Sequence, residues 1–197
     1  MLSKEILIVG AGGHAKVVTE LINESKEWQI AAYIDESCTH SSFYGAPIMR
    51  TFSEAKLTFP MVTSAFVALG DNDARQRWQE LLEKSGYGLP WIAHSSSVIS
   101  STSLIGSGTL IAAKAFIGAQ TSIGKGCIIN TGCIVDHDVT IGNFTHLSQA
   151  VTLCGGSKVG GNCTIGPGSV LEKLSIVSDN TQTIAGSIID ASQHLSR

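Results

Sequence analysis

The chain has 197 residues, a formal net charge of -3, 43% hydrophobic and only 15% charged residues. That length suits one large domain or two small ones, and the apolar fraction can bury a core. No Lys/Arg-rich run marks a nucleic-acid surface, and no apolar stretch approaches the roughly 18–20 residues of a membrane span. The opening Met1-Leu2-Ser3-Lys4-Glu5 leads directly into a strand and does not read as a signal peptide, so the cytoplasm is the expected compartment. The five cysteines (38, 127, 133, 154 and 163) are odd in number and contain no C-x-x-C. They read as small buried thiols rather than a disulfide framework or zinc site.

Residues 1–90 alternate strand and helix. Ile6-Leu7-Ile8-Val9 is a short apolar strand ending in Gly10-Ala11-Gly12-Gly13. From His14 to Asn23, Val17, Val18, Leu21 and Ile22 fall at helical spacing. Gln29–Ile34 is a second strand, ending at Asp35-Glu36, and Phe66–Leu69 a third, ending at Gly70-Asp71-Asn72. Asp73–Ser85 is a helix with Trp78, Leu81 and Leu82 on one face. This order predicts a small α/β domain with a Rossmann-like parallel sheet. Gly10-Ala11-Gly12-Gly13-His14-Ala15 matches G-x-G-x-x-A between strand and helix, with Asp35 at the end of the next strand. On these residues alone, a dinucleotide site and a mere tight turn are equally open. About 90 residues is, however, too short for two mononucleotide halves, which argues against NAD.

From residue 91 to 197 the pattern changes. Stepping by six from Ile99 gives Ile105, Ile111, Ile117, Ile123, Ile129, Val135, Ile141, Leu147, Leu153, Val159, Ile165, Leu171 and Val177 without interruption. Four residues after each aliphatic comes a small residue, as at Thr109, Ala115, Cys127, Cys133, Ser157 and Cys163. Gly often follows the aliphatic directly, as at Gly106, Gly118 and Gly124. Each hexad reads as one short strand and a corner, with aliphatic and small residues inward. The glycines are expected to permit turn angles that a Cβ opposes. Three hexads close a triangular coil, so equivalent positions recur every 18 residues.

Among the outward positions, Asp136-His137-Asp138 is the densest polar cluster. An imidazole beside a carboxylate is a general-base pairing, because the carboxylate fixes the tautomer and stabilises the imidazolium.

The hexads over residues 95–180 resemble the hexapeptide-repeat acyltransferases, a likeness that implies an all-β left-handed parallel β-helix. The whole chain resembles the sugar O- and N-acetyltransferases of the NeuD/PglD type. The motifs carrying this likeness are Val9–Ala15, Ile34-Asp35-Glu36, Leu69–Asn72, Ile92-Ala93-His94-Ser95, and the run from Asn130 through Asp136-His137-Asp138 to Phe144-Thr145-His146. The resemblance implies direct acetyl transfer from acetyl-CoA to a UDP-linked amino sugar in bacterial surface glycan biosynthesis, without metal or NAD. It makes His137 the general base supported by Asp138, with Asn130 and His146 in the same site. It places coenzyme contacts at His146, Gly155, Pro167, Ala185 and Gly186, with the Gly155 amide on the thioester carbonyl. It assigns the nucleotide-sugar to Gly12, Gly13, His14, Asp35 and Asn72. The family commonly ends its β-helix in Gly-x-Pro-Ala-Lys/Arg. Here Thr183-Ile184-Ala185-Gly186-Ser187 lacks the proline and the basic residue, leaving backbone contacts at Ala185 and Gly186.

His137 and His146 are nine residues apart, half a coil, and so should lie on opposite sides of one prism. Gly155, a full period after His137, should lie one coil away on the same side. An active site between subunits of a homotrimer is therefore expected, as in the family. O-acetylation of a sialic acid uses the same machinery and stays open, as does a non-catalytic sugar-nucleotide-binding homologue. A carbonic-anhydrase-type metal lyase needs three converging histidines, and His94, His137 and His146 lack that spacing.

Overall fold

The computed structural model describes residues 4–191, so residues 1–3 and 192–197 of the two expected domains lie outside it. The chain folds as two units divided after residue 90. In the first, β1 (Lys4–Val9), α1 (Gly13–Ser25), β2 (Trp28–Ile34), β3 (Ser42–Phe43), β4 (Ala46–Met49), α2 (Phe52–Thr58), β5 (Ala65–Val67) and α3 (Asn72–Lys84) follow in order. The sheet runs β3-β4-β2-β1-β5. Its pairs are parallel except β3 with β4. The three expected strands and two expected helices are present. The β3–β4 hairpin and α2 are additions that the sequence reading missed. Helix α2 starts where Thr51 accepts a hydrogen bond from the Glu54 amide at 3.1 Å.

Ile6–Val9 and Phe66–Val67 are fully buried, as befits strands covered on both faces. The helix faces differ in detail from the periodicity. Val17 and Leu81 are exposed, and α3 turns Arg75, Gln79 and Leu82 into the interior.

In the second unit, two-residue strands from Ile92–Ala93 to Ile188–Ile189 stack into three sheets. Each pair is parallel and in an 18-residue register, such as Phe116↔Ile134 and His146↔Thr164. This is the triangular coil of a parallel β-helix. The aliphatics from Ile111 to Val177 are buried at every step, together with small residues such as Thr109, Cys133 and Ser169. Cys127, Cys133 and Cys163 are buried free thiols, and burial pushes Cys133 up to about 11. The helix continues beyond Val177: Ile189 is buried in phase, with Thr183 between them.

The glycine expectation needs a correction. Positive φ recurs every sixth residue from Gly108 to Gly186, three residues past each strand's end, and at Lys114, Gln120 and Asp138 the turn is not glycine. The glycine directly after the aliphatic serves close approach instead. A Cβ on Gly118 would lie 2.6 Å from the Asp136 carbonyl carbon and 2.7 Å from the His137 nitrogen, one coil away. Coils spaced at a strand-to-strand distance leave no room there for a side chain.

Candidate active site

The turn Asp136-His137-Asp138 joins the Ile134–Val135 strand to the Thr140–Ile141 strand. Asp138 sits in the left-handed region at φ 58°, a conformation Asp tolerates better than most residues. From there its Oδ2 lies 2.7 Å from His137 Nδ1. The Asp136 carboxylate accepts from the His137 amide at 2.7 Å and fixes the backbone of the turn. Both side chains of the His137–Asp138 pair are about half exposed, at 55% and 54%. The hydrogen bond to Asp138, with the charge of Asp136, holds the imidazole above its ordinary value. Partial desolvation and the Lys173 ammonium oppose that rise.

Hydrogen bonds from Asp138 N to Ala119 O, from Gly156 N to His137 O and from Leu174 N to Gly155 O stack four turns on this corner. Gly155 thus lies directly above His137. A Cβ there would stand 2.7 Å from His137 Nε2 and 2.8 Å from Cε1. The absence of a side chain leaves a notch over Nε2. Gly155 is buried, and its N–H makes no hydrogen bond among the described residues.

Asn130 and His146 form a second group. His146 faces outward from the Ile92-containing sheet, diagonal to Asn130, with Asn130 Nδ2 3.3 Å from its Nε2. Pro167 and Gly186 are stacked by the Gly186 N to Pro167 O bond. They lie with Ala185 at exposed turns on the corner that carries Asn130. In a triangular prism this sheet is opposite the corner bearing His137. One chain therefore brings together His137, Asp138 and Gly155, and separately Asn130 and His146, but does not join the two groups.

In the first unit the Gly-rich turn leads from β1 into α1. Gly10 is required by the fold: its φ is 103°, and a Cβ would meet Leu69 at 2.8 Å. Gly12 and Gly13 differ, since a Cβ on either would touch nothing. They stand exposed at the start of α1, where helix amides and the dipole favour an anion. His14 Nε2 is buried without a partner among the described residues, and burial, with the nearby Arg75 charge, lowers its pKa to about 4. Asp35 closes the turn by accepting from Ala11 N at 2.8 Å. It also accepts from the Ser37 amide and hydroxyl and from Cys38 N. Burial pushes its carboxyl up, but these four donors outweigh it and hold the group below the ordinary range.

Arg75 escaped the sequence reading because a charged residue on a helix reads as solvated. It is buried and donates to the Leu69 and Gly70 carbonyls at 3.0 Å each and to Asn72 Oδ1 at 2.7 Å. The Leu69–Asn72 turn is thus locked from beneath. A cleft of about 310 Å³ opens between this turn and the ends of β1 and β2, lined by Gly10, Asp35, Glu36, Leu69 and Trp78. It lies outside the carboxyl ends of the strands, where ligands of open α/β sheets bind.

Residues 5–82 match the family model described as the PglD N-terminal domain. The acetyltransferase domain of PglB from Neisseria gonorrhoeae FA1090, in complex with acetyl coenzyme A, is 30% identical. The match covers 95% of this chain and 93% of that one, with a TM-score of 0.88. The chain belongs to the PglD-type hexapeptide acetyltransferases. The fold is accordingly the left-handed form of the parallel β-helix behind a small α/β domain. PerB from Caulobacter crescentus, solved with CoA and GDP-perosamine, is a further PglD-type likeness at 29% identity, covering 93% of this chain and 90% of that one, with a TM-score of 0.66. A UDP-N-acetylbacillosamine N-acetyltransferase of Bacillus subtilis (strain 168) is 34% identical over 101 residues. That match takes in 49% of this chain and 46% of the relative, so the chain spans about half the length of the curated relative it matches. No helix among the described residues is long and apolar enough to cross a membrane. No three His, Cys, Asp or Glu side chains group there as a metal site.

Proposed function

We propose that the protein transfers an acetyl group from acetyl-CoA to the amine of a nucleotide-linked amino sugar, in the cytoplasm, as a step of surface glycan biosynthesis. The observation that carries this reading is the His137–Asp138 pair at 2.7 Å beneath the Gly155 notch. His137 Nε2 accepts a proton from the acceptor nitrogen as that nitrogen attacks the thioester carbonyl. Asp138 holds Nδ1–H and stabilises the imidazolium. The Gly155 amide, buried and without a partner among the described residues, donates to the oxyanion of the tetrahedral intermediate. The coenzyme thiol then leaves with the proton, and no acyl-enzyme forms.

Asn130, His146, Pro167, Ala185 and Gly186 complete the coenzyme side from a neighbouring copy in a homotrimer. Support comes from the separation of the two groups within one chain. The outer face of the Val98-containing sheet adds to it, with Val98, Phe116, Ile134 and Ile188 exposed in one 18-residue column. Such a row suits burial against a second subunit. The first unit holds the acceptor: Gly12 and Gly13 amides meet its phosphates, with His14, Asn72 and the Asp35 turn framing the nucleotide. Titrating free thiol while acetyl-CoA is mixed with amino sugars, UDP- and GDP-linked amino sugars and sialic acids tests the reading. Turnover confined to nucleotide-linked amines is the expected result. Turnover with sialic acid alone would replace this reading with O-acetylation, and no turnover with any acceptor would leave a binding protein.

A further inference from the structure

Asp35 carries the acidic position of the Gly-rich fingerprint, yet its carboxylate is committed. An ionised carboxylate offers about four acceptor sites. Four donors engage it: Ser37 N, Ser37 Oγ and Cys38 N crowd Oδ1, and Ala11 N ties Oδ2 to the Gly-rich turn. Turning it toward a ligand would release the Gly-rich turn from β2 and leave those donors unpaired. The next residue presents the opposite situation. Glu36 lines the same cleft, is exposed, and forms no hydrogen bond or ion pair among the described residues. Facing the cleft from α3 is Trp78, half-buried and braced edge-on by Phe52 at 6.4 Å between ring centroids. An indole held by such packing offers a flat wall, and a cleft of about 310 Å³ has the volume of a nucleoside-sized ligand.

We propose that Glu36, not Asp35, is the carboxylate that recognises the nucleoside, accepting from the ribose hydroxyls while Trp78 stacks on the base. Asp35 is a positioning residue that holds the Gly-rich turn in shape. The assignment rests on the first unit being the nucleotide-sugar site. It gives the order of the ligand: phosphates at Gly12 and Gly13 at the start of α1, then ribose at Glu36 and base at Trp78 in the cleft. Glu36 is thereby kept away from the phosphates, which it would repel.

The test uses the full chain, with calorimetry and tryptophan fluorescence of UDP, GDP and the dideoxyribose analogue of UDP. Glu36→Gln should weaken UDP about tenfold or more, the worth of charge-assisted hydrogen bonds, without lowering the melting temperature. It should also abolish the preference of wild type for UDP over its dideoxy analogue. Trp78→Phe should keep UDP binding but lose most of the fluorescence quench, although the chain retains two other tryptophans. Asp35→Asn should lower the melting temperature. Unchanged UDP affinity in Glu36→Gln, or lost affinity at unchanged melting temperature in Asp35→Asn, overturns the assignment. If wild type binds neither UDP nor GDP, the nucleotide reading of the first unit itself falls, and this assignment with it.

Discussion

Placing one methyl group on Gly155 separates the chemistry of this site from its fold. A Cβ there would stand 2.7 Å from His137 Nε2 and 2.8 Å from Cε1. Ordinary carbon contacts lie at about 3.5–4.0 Å, so the ring must retreat by roughly 1 Å. Gly155 is not among the positive-φ turn residues, so alanine fits its backbone. The obstructing atoms are the far end of a half-exposed side chain, which can swing into solvent at little structural cost. Swinging breaks the 2.7 Å contact with Asp138 and removes the base from the notch. A displacement of about 1 Å costs on the order of 10² in rate, and losing the base altogether costs about 10²–10⁴. Gly155→Ala should therefore lower kcat by about 10²–10³ with the melting temperature nearly unchanged. Steady-state kinetics on the best acceptor, beside a thermal melt, reads both. A kcat within about threefold of wild type would refute the placement of the reaction in the notch, and a large fall in melting temperature would refute the claim that His137 yields freely.

Gly118→Ala should behave in the opposite way. Its Cβ meets the Asp136–His137 peptide, which cannot swing aside, so a loss of about 1–3 kcal/mol of stability is expected in a denaturant melt. His137→Ala should lower kcat by about 10²–10⁴ with little change in acetyl-CoA affinity by calorimetry. Because Asp138 and Asp136 raise the His137 pKa against the opposition of Lys173, kcat/KM should fall as pH drops through a value above 6.5. Asp138→Asn removes the largest of those causes, so the acidic limb of its pH profile should move down, not up. A Cβ on Gly13 meets nothing within 4 Å among the described residues, so Gly13→Val should weaken nucleotide-sugar binding strongly while acetyl-CoA binding and the melting temperature stay put. Light scattering should give a trimer, and an active monomer would remove the need for His146 from a neighbour.

The sequence alone determined the β-helix, because each of its hexads obeys the same inward rule. A residue's phase modulo six decides burial, and its phase modulo 18 decides which residue it stacks on. That was enough to set Gly155 over His137, and His146 on the far side; the approach of Asn130 to His146 came from the fold. It also separated a βα-type first unit from the repeats, since hydrophobic runs ending in Gly-rich or acidic turns have few other readings. Tertiary structure decided what periodicity cannot encode. The glycines after the aliphatics carry no special φ; they are needed because the next coil's backbone passes within 2.6 Å of where a Cβ would be, a contact between residues 18 apart. Asp35 stands at the acidic position of the linear motif, and the fold adds donors that the motif does not show, from Ala11, Ser37 and Cys38. Arg75 looked like a solvated helix residue, yet burial over three acceptors makes it the lock of the Leu69–Asn72 turn. In each case the deciding partner comes from another turn or loop of the folded chain, and a one-dimensional pattern holds no record of which backbone groups will arrive there.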